Sequence, residues 1–141
     1  MMTREHPVFE LGMHFDAALG GVDRYFQRLT EGLRTNGLSC TALAFGTAPG
    51  TIPLAAWDGR TDASVSLGEM DAPLLQRLKA IRTAGRKVRP GGLVASHFAL
   101  YGAALPGLRR RRHVVHFHGP WAGESAREGQ SRLALMAKRW I

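Results

Sequence analysis

Between Pro7 and Gly46 the hydrophobic pattern changes period twice, and few folds accommodate that order of changes. Pro7 to Gly12 reads as a short strand through Val8, Phe9 and Leu11, with Glu10 the one residue out of character. Met13 to Gly21 reads as a loop ending in Gly20-Gly21. From Val22 to about Asn36 the residues Val22, Tyr25, Phe26, Leu29 and Leu33 recur at three- and four-residue steps, the stripe of an amphipathic helix. Arg24, Gln27, Arg28, Glu31 and Arg34 fill its other side, and Gly37 stops it. Leu38 to Phe45 is apolar again and closes at Gly46. Strand, glycine loop, helix, glycine stop and strand make a βαβ unit, which forces a parallel pairing.

The remainder continues the alternation. Pro49, Gly50, Pro53 and Gly59 break up Thr47 to Gly68, with a short strand expected at Ala63 to Leu67. A helix follows, capped by Asp71 with Pro73 in its first turn. Its inner face is expected to carry Leu74, Leu75, Leu78 and Ile81, with Arg77, Lys79 and Arg82 outward. Pro90-Gly91-Gly92 ends that segment, and Leu93-Val94-Ala95-Ser96 reads as a buried strand running into His97. Phe98 to Leu105 suits a short helix, Arg109 to Arg112 a solvated connector, and His113 to Phe117 another strand. Arg127 to Ile141 has the spacing of a last helix, with Leu133, Met136 and Trp140 on one face. The expected fold is an α/β doubly wound parallel sheet, Rossmann-like. With the common strand order the strands starting at Val8 and Leu93 are neighbours. Their loops then diverge, and Met13 to Gly21, His97 and His118 to Gly123 line one crevice.

A chain of 141 residues suits one domain. No apolar run is long enough to cross a bilayer, and no signal-peptide core follows Met1. The single cysteine, Cys40, excludes an internal disulfide, fits a cytoplasmic setting, and lies in an apolar run as a buried small residue would. The net charge of +8 is concentrated between Arg77 and Arg89 and in Arg109-Arg110-Arg111-Arg112. Nucleic acid, an anionic membrane surface and a solvated loop all suit such runs. A nucleic-acid site interleaves aromatic or amide residues with its cations, and Arg109 to Arg112 has none. The setting expected is the cytoplasm, peripheral to the inner face of the membrane if the arginines meet acidic lipid.

The residues that bear on chemistry lie at the expected strand ends. Val114-Val115-His116-Phe117-His118-Gly119-Pro120-Trp121 opens as a buried strand and breaks at Gly-Pro, leaving His118 just past its carboxyl end. Ligands of open α/β sheets bind there, so His118 is the leading candidate; a strand-capping histidine is the plainer alternative. Gly20-Gly21 precedes a helix amino terminus, where glycine permits positive φ and close approach of an anion to bare amides. Neither a dinucleotide fingerprint nor a Walker loop occurs there, and no serine-hydrolase elbow occurs anywhere. On a strand His116 and His118 share a face while His113 points away. A zinc site would then need His97 as well, and no cysteine pair or His-Glu-x-x-His helix supports one, so no metal is expected. What remains for the histidines is to hydrogen-bond a polar substrate or to act as acid or base.

Three of these segments together resemble a known family. Gly20-Gly21-Val22-Asp23-Arg24 with its helix and strand, Leu93-Val94-Ala95-Ser96-His97-Phe98, and Val114-Val115-His116-Phe117-His118-Gly119-Pro120-Trp121 resemble, in order, the amino-terminal half of GT4-type glycosyltransferases of the GT-B fold. The resemblance spans about Pro7 to Ile141. It implies a retaining transferase that moves a sugar from a nucleotide-sugar donor to a glycan, lipid or small-molecule acceptor, with no further cofactor. It places Gly20 and Gly21 against the donor pyrophosphate and His118 at the reacting centre, as the catalytic residue. His97, Gly119 and Trp121 would line the acceptor or sugar. Ala17-Ala18-Leu19 lacks the proline often found before the glycine pair, and Leu93 and Ser96 replace more typical residues. The family's Glu-x7-Glu carboxylates have no counterpart here. The implied domain is therefore the acceptor-side half, cut within its last helix, whose partner is a carboxyl-terminal donor-binding domain. A non-catalytic module for an anionic ligand or a partner protein, and a basic nucleic-acid binder, are the rival classes.

Overall fold

A computed structural model describes residues 6–16, 18–60 and 62–118. Six strands form one parallel sheet: β1 (Val8–His14), β2 (Cys40–Phe45), β3 (Thr51–Pro53), β4 (Ser64–Ser66), β5 (Leu93–Ser96) and β6 (Arg112–Val115). Their order is β3-β4-β2-β1-β5-β6. Helices α1 (Gly21–Thr35), α2 (Leu74–Lys87) and α3 (Ala99–Ala103) connect them. The chain runs from β1 out to β2 and on to β3 at the edge, turns back to place β4 between β3 and β2, and then crosses β1 to β5 and β6. Val8 pairs with Cys40 on one side and Leu93 on the other, so the switch point lies beside β1, as the doubly wound, Rossmann-like expectation requires.

The alternation of side chains along β1 assigns its two faces. Phe9 and Leu11 join Leu43, Phe45, Trp57, Val65, Ile81, Val94 and Tyr101 in the larger core, which α2 and α3 cover. Glu10 and Gly12 turn the other way, toward α1, where Phe15, Phe26, Ala42 and Ala44 make a smaller core. Small residues there bring α1 close: a Cβ on Gly12 would lie 2.7 Å from three ring atoms of Phe26.

Four expectations need correction. Leu74 and Leu75 are 50% and 81% exposed, while Arg77 is half-buried, stacks over Phe45 and donates to Tyr101 Oη at 2.8 Å. The inner face of α2 is thus Arg77, Leu78, Ile81 and Ala84, continued by Val88 at its C-cap: a long side chain with one cation can cover apolar surface and still reach polar partners. Asp71 makes no cap, since Pro73 itself takes the N-cap position with extended backbone. Val114 and Val115 are half-exposed because β6 is the sheet edge among the described residues. Gly20 has φ 173, ordinary extended backbone, so its glycine does not serve a positive φ. The expected helix from Arg127 to Ile141 and the residues Gly119 and Trp121 lie outside the described residues.

The segment Thr47 to Gly68 is organised around Trp57, buried against Phe9 with its indole N–H on the Arg60 carbonyl. Lys87 clamps the same turn by donating to the carbonyls of Leu54 and Trp57 at 2.8 and 2.7 Å. Gly59 is obligatory there, with φ +85 and a would-be Cβ 2.4 Å from the Lys87 carbonyl oxygen.

Candidate functional site

Glu10 sits in the middle of β1 and is 2% exposed, a carboxylate in a strand buried on both faces. Such a group needs partners. It finds one at the end of β5: Glu10 Oε2 lies 2.6 Å from His97 Nε2, with His97 3% exposed. The parallel register accounts for the meeting. Leu11 pairs with Ser96, and the His97 amide donates to the Leu11 carbonyl at 2.9 Å, so His97 stands next to the Glu10 face of β1. Next, the amide of His116 donates to the Ser96 carbonyl at 2.9 Å and sets the end of β6 beside it. His118 then reaches back, its Nε2 3.2 Å from His97 Nδ1.

The hydrogen-bond inventory orders the protons. A carboxylate only accepts, so His97 donates from Nε2 to Glu10. Its Nδ1 shares a hydrogen bond with His118 Nε2, whose direction follows the tautomers of the two rings. Glu10, His97 and His118 thus form one hydrogen-bonded relay. His116 stacks on His97 with ring centroids 4.4 Å apart and planes 10° from parallel. Tyr25, at the start of α1, packs edge-on against His116 and His118 at 5.6 and 5.2 Å and lies tilted against His97 at 5.7 Å. Phe26 closes the inner side of His97 at 5.4 Å.

These neighbours set the charge of the cluster. Burial pushes the pKa of His118 down first, and the nearby His97 and His116 push it further. His116 is lowered by burial and by His97, against an opposing pull from Glu10. Both rings are thereby held neutral near pH 7. His113 faces the other side of β6, as the alternation predicts: its Nε2 meets Ser96 Oγ at 2.8 Å over Gly102, whose added Cβ would crowd both.

Glu10, His97 and His116 are the one described set whose ligand atoms lie together as a cation would need, within 4.8 Å of one another. The ring geometry opposes that use. Ring lone pairs lie in the ring plane, and two parallel stacked imidazoles direct theirs side by side rather than at a shared point. His97 has in addition both nitrogens engaged.

A second cluster closes the other flank of the mouth. His14, at the end of β1, takes Asp23 Oδ1 on its amide at 3.1 Å, and its Nε2 lies 3.3 Å from the Arg77 guanidinium. Its Nδ1 is buried without a hydrogen bond, 3.6 Å from Asp23 Oδ1. Between the two clusters α1 begins. Its first turn has no side-chain cap, and a Cβ on Gly20 or Gly21 would meet nothing within 4 Å. Neither φ nor packing calls for glycine there; open space over the first-turn amides is what the pair leaves.

The structure therefore brings His97, His118, Gly20 and Gly21 to one end of the sheet. Glu10, Asp23, His14, Arg77 and Tyr25 are the residues that sequence reasoning missed. Glu10 carried a signal, a charge inside an apolar strand; Arg77 carried none. Cys40 is no nucleophile: burial, with Glu10 and Asp62 adding and Arg34 opposing, pushes its thiol up to about 12. Among the described residues no helix is long and apolar enough to cross a membrane. Comparison of the chain with protein-family models, with curated proteins and with solved structures returns no match.

Proposed function

We propose that this chain is the acceptor-side domain of a retaining, GT4-like glycosyltransferase, in which His118 contacts the sugar that is transferred. The observation that carries the reading is the Glu10–His97–His118 relay at the switch point of a doubly wound sheet, across from the uncapped start of α1. Glu10 orients His97, a positioning role. His97 in turn fixes His118 so that its Nδ1 accepts from a sugar hydroxyl. A neutral imidazole suits that position, because the reacting sugar carbon gains positive charge and a histidinium would oppose it. The amides of Gly20 and Gly21, at the start of α1 where no side chain caps the helix, favour the leaving diphosphate together with the helix dipole. Gly119 and Trp121 would extend the sugar-facing wall. The donor carboxylates and the cations that hold the diphosphate come, in this proposal, from a second domain facing this mouth. A cytoplasmic location follows from the nucleotide-sugar donor.

Titration calorimetry with common nucleotide sugars, alongside a product assay, tests the reading. One wall leaves the site wet, so contacts are screened and binding is weak, with no turnover by this chain alone. Micromolar binding with measurable transfer would remove the two-domain reading. Tight binding of an unrelated anion at Gly20–Gly21 without any response to sugars would favour a non-catalytic module instead.

A further inference from the structure

The two arginine-rich stretches, far apart in sequence, meet at the opposite end of the sheet. Arg86 and Arg89 at the end of α2, and Arg110, Arg111 and Arg112 before and in β6, line a cavity of about 510 Å³ floored by the Pro90–Gly92 turn and Pro106. No carboxylate lines it. The cavity precedes β5 and β6, whereas the histidines follow them. Five residue steps of strand from Gly92 to His97, at ~3.3 Å each, separate the two by about 16 Å.

One of the five arginines is structural. Arg111 donates from Nη2 to the Gly85 carbonyl at 2.6 Å and from Nε to the Pro106 carbonyl at 3.0 Å. It thereby occupies the negative end of α2, where a cation belongs. Lys87, in the same last turn, is spent on Leu54 and Trp57. Arg86, Arg89, Arg110 and Arg112 are exposed, and none forms an ion pair among the described residues. Four guanidinium groups beside a fifth, with the helix end already neutralised, repel one another unless an anion lies between them. Guanidinium forks bind phosphate oxygens in pairs, and a cavity of this size holds a headgroup or a small polyphosphate.

We infer that the cleft between the end of α2 and the start of β6 is a second binding site, for a ligand bearing phosphate groups, independent of the histidine mouth. Its cations come from both arginine stretches, so the run Arg109 to Arg112 is not a mere connector. The shared chemistry is a clustered phosphate; its source is either a soluble polyphosphate or a phosphomonoester lipid headgroup.

The test uses the whole chain with two probes: inorganic tripolyphosphate by calorimetry, and phosphatidylcholine vesicles with and without phosphatidic acid by sedimentation. The variants are R86Q/R89Q, R110Q/R112Q and, as a charge-matched control on exposed positions of α1 across the sheet, R24Q/R28Q. Saturable binding of at least one probe is expected, weakened about tenfold or more by each of the first two pairs and less than about twofold by the control. H118A should bind as wild type. Tripolyphosphate binding without vesicle binding identifies a soluble ligand; vesicle binding that needs phosphatidic acid, without tripolyphosphate binding, identifies a headgroup. Circular dichroism of each variant confirms that the fold is intact. Loss of binding equal in all three pairs, binding insensitive to the first two, or saturable binding of neither probe overturns the assignment.

Discussion

Replacing Glu10 by leucine should cost stability in a way that a glutamine at the same place does not. Leucine fills the carboxylate's volume and leaves no cavity, so the change isolates the hydrogen bond. In the wild type the contact to His97 is 2.6 Å and both side chains are within 3% of full burial. Without the carboxylate, His97 Nε2–H is left buried and unpaired, a penalty of about 1–3 kcal/mol, taken as about 2. For 141 residues an unfolding entropy of about 2.1 cal/mol/K per residue gives about 0.3 kcal/mol/K, so Tm should fall by about 7 °C. Glutamine still accepts through Oε1 and loses only the charge assistance, about 1 kcal/mol and about 3 °C. The double variant Glu10→Leu/His97→Phe removes donor and acceptor together and should recover most of the loss. Scanning calorimetry of the four proteins at pH 7.5 reads all three values. A Glu10→Leu protein within about 1 °C of wild type, or a double variant less stable than Glu10→Leu, would refute the claim that this pair holds His97 in place.

Further outcomes follow from the same contacts. His113, His116 and His118 have folded-state pKa values below the ordinary 6.5, so the unfolded chain binds more protons as pH falls. Their contribution is fully present above about 6.5 and is lost as pH falls through the lowered folded values. Urea midpoints should thus be flat above about pH 7 and decline below 6.5, and a rise on acidification to pH 5.5 contradicts the assignment. Gly12→Ala puts a Cβ 2.7 Å from the Phe26 ring, and should destabilise by about 1–3 kcal/mol in chemical denaturation. Native Cys40, its thiol raised to about 12, should react with a water-soluble disulfide at pH 8 only at the rate of unfolding; fast labelling of folded protein would show it is neither buried nor protonated.

How far the fold was legible follows from which forces each residue answers to. Leu93–Ser96 matched its expected strand residue for residue, because a buried parallel strand between a Pro-Gly-Gly turn and a polar residue has little alternative. Gly37 and Gly46 ended their elements at φ +75 and +81, as the patterns required. The edge strand Thr51–Pro53 went unread, since three residues ending in proline carry no period and proline is tolerated only where no partner needs its N–H. Leu75 misled because hydrophobicity was taken as burial, while Arg77 misled because charge was taken as exposure. The relay was half legible. His97 and His118 could be placed at strand ends from the sequence, but their link through Glu10 depends on the register of β1 against β5. Likewise, the cavity joining Arg86 to Arg112 depends on a helix ending where a distant strand begins.

The central claim is that Gly20, Gly21 and the His97–His118 pair serve one sugar-nucleotide ligand at the switch point. Amide and imidazole ¹⁵N–¹H spectra of this chain, titrated with nucleotide sugars, test it most directly. The account predicts weak but localised changes at the Gly20 and Gly21 amides and at His118 and His97, with the His118 response lost when the nucleotide is added without its sugar. Changes confined to the Arg86–Arg112 cavity, or no change at Gly20, Gly21 and His118 at tens of millimolar ligand, would contradict it.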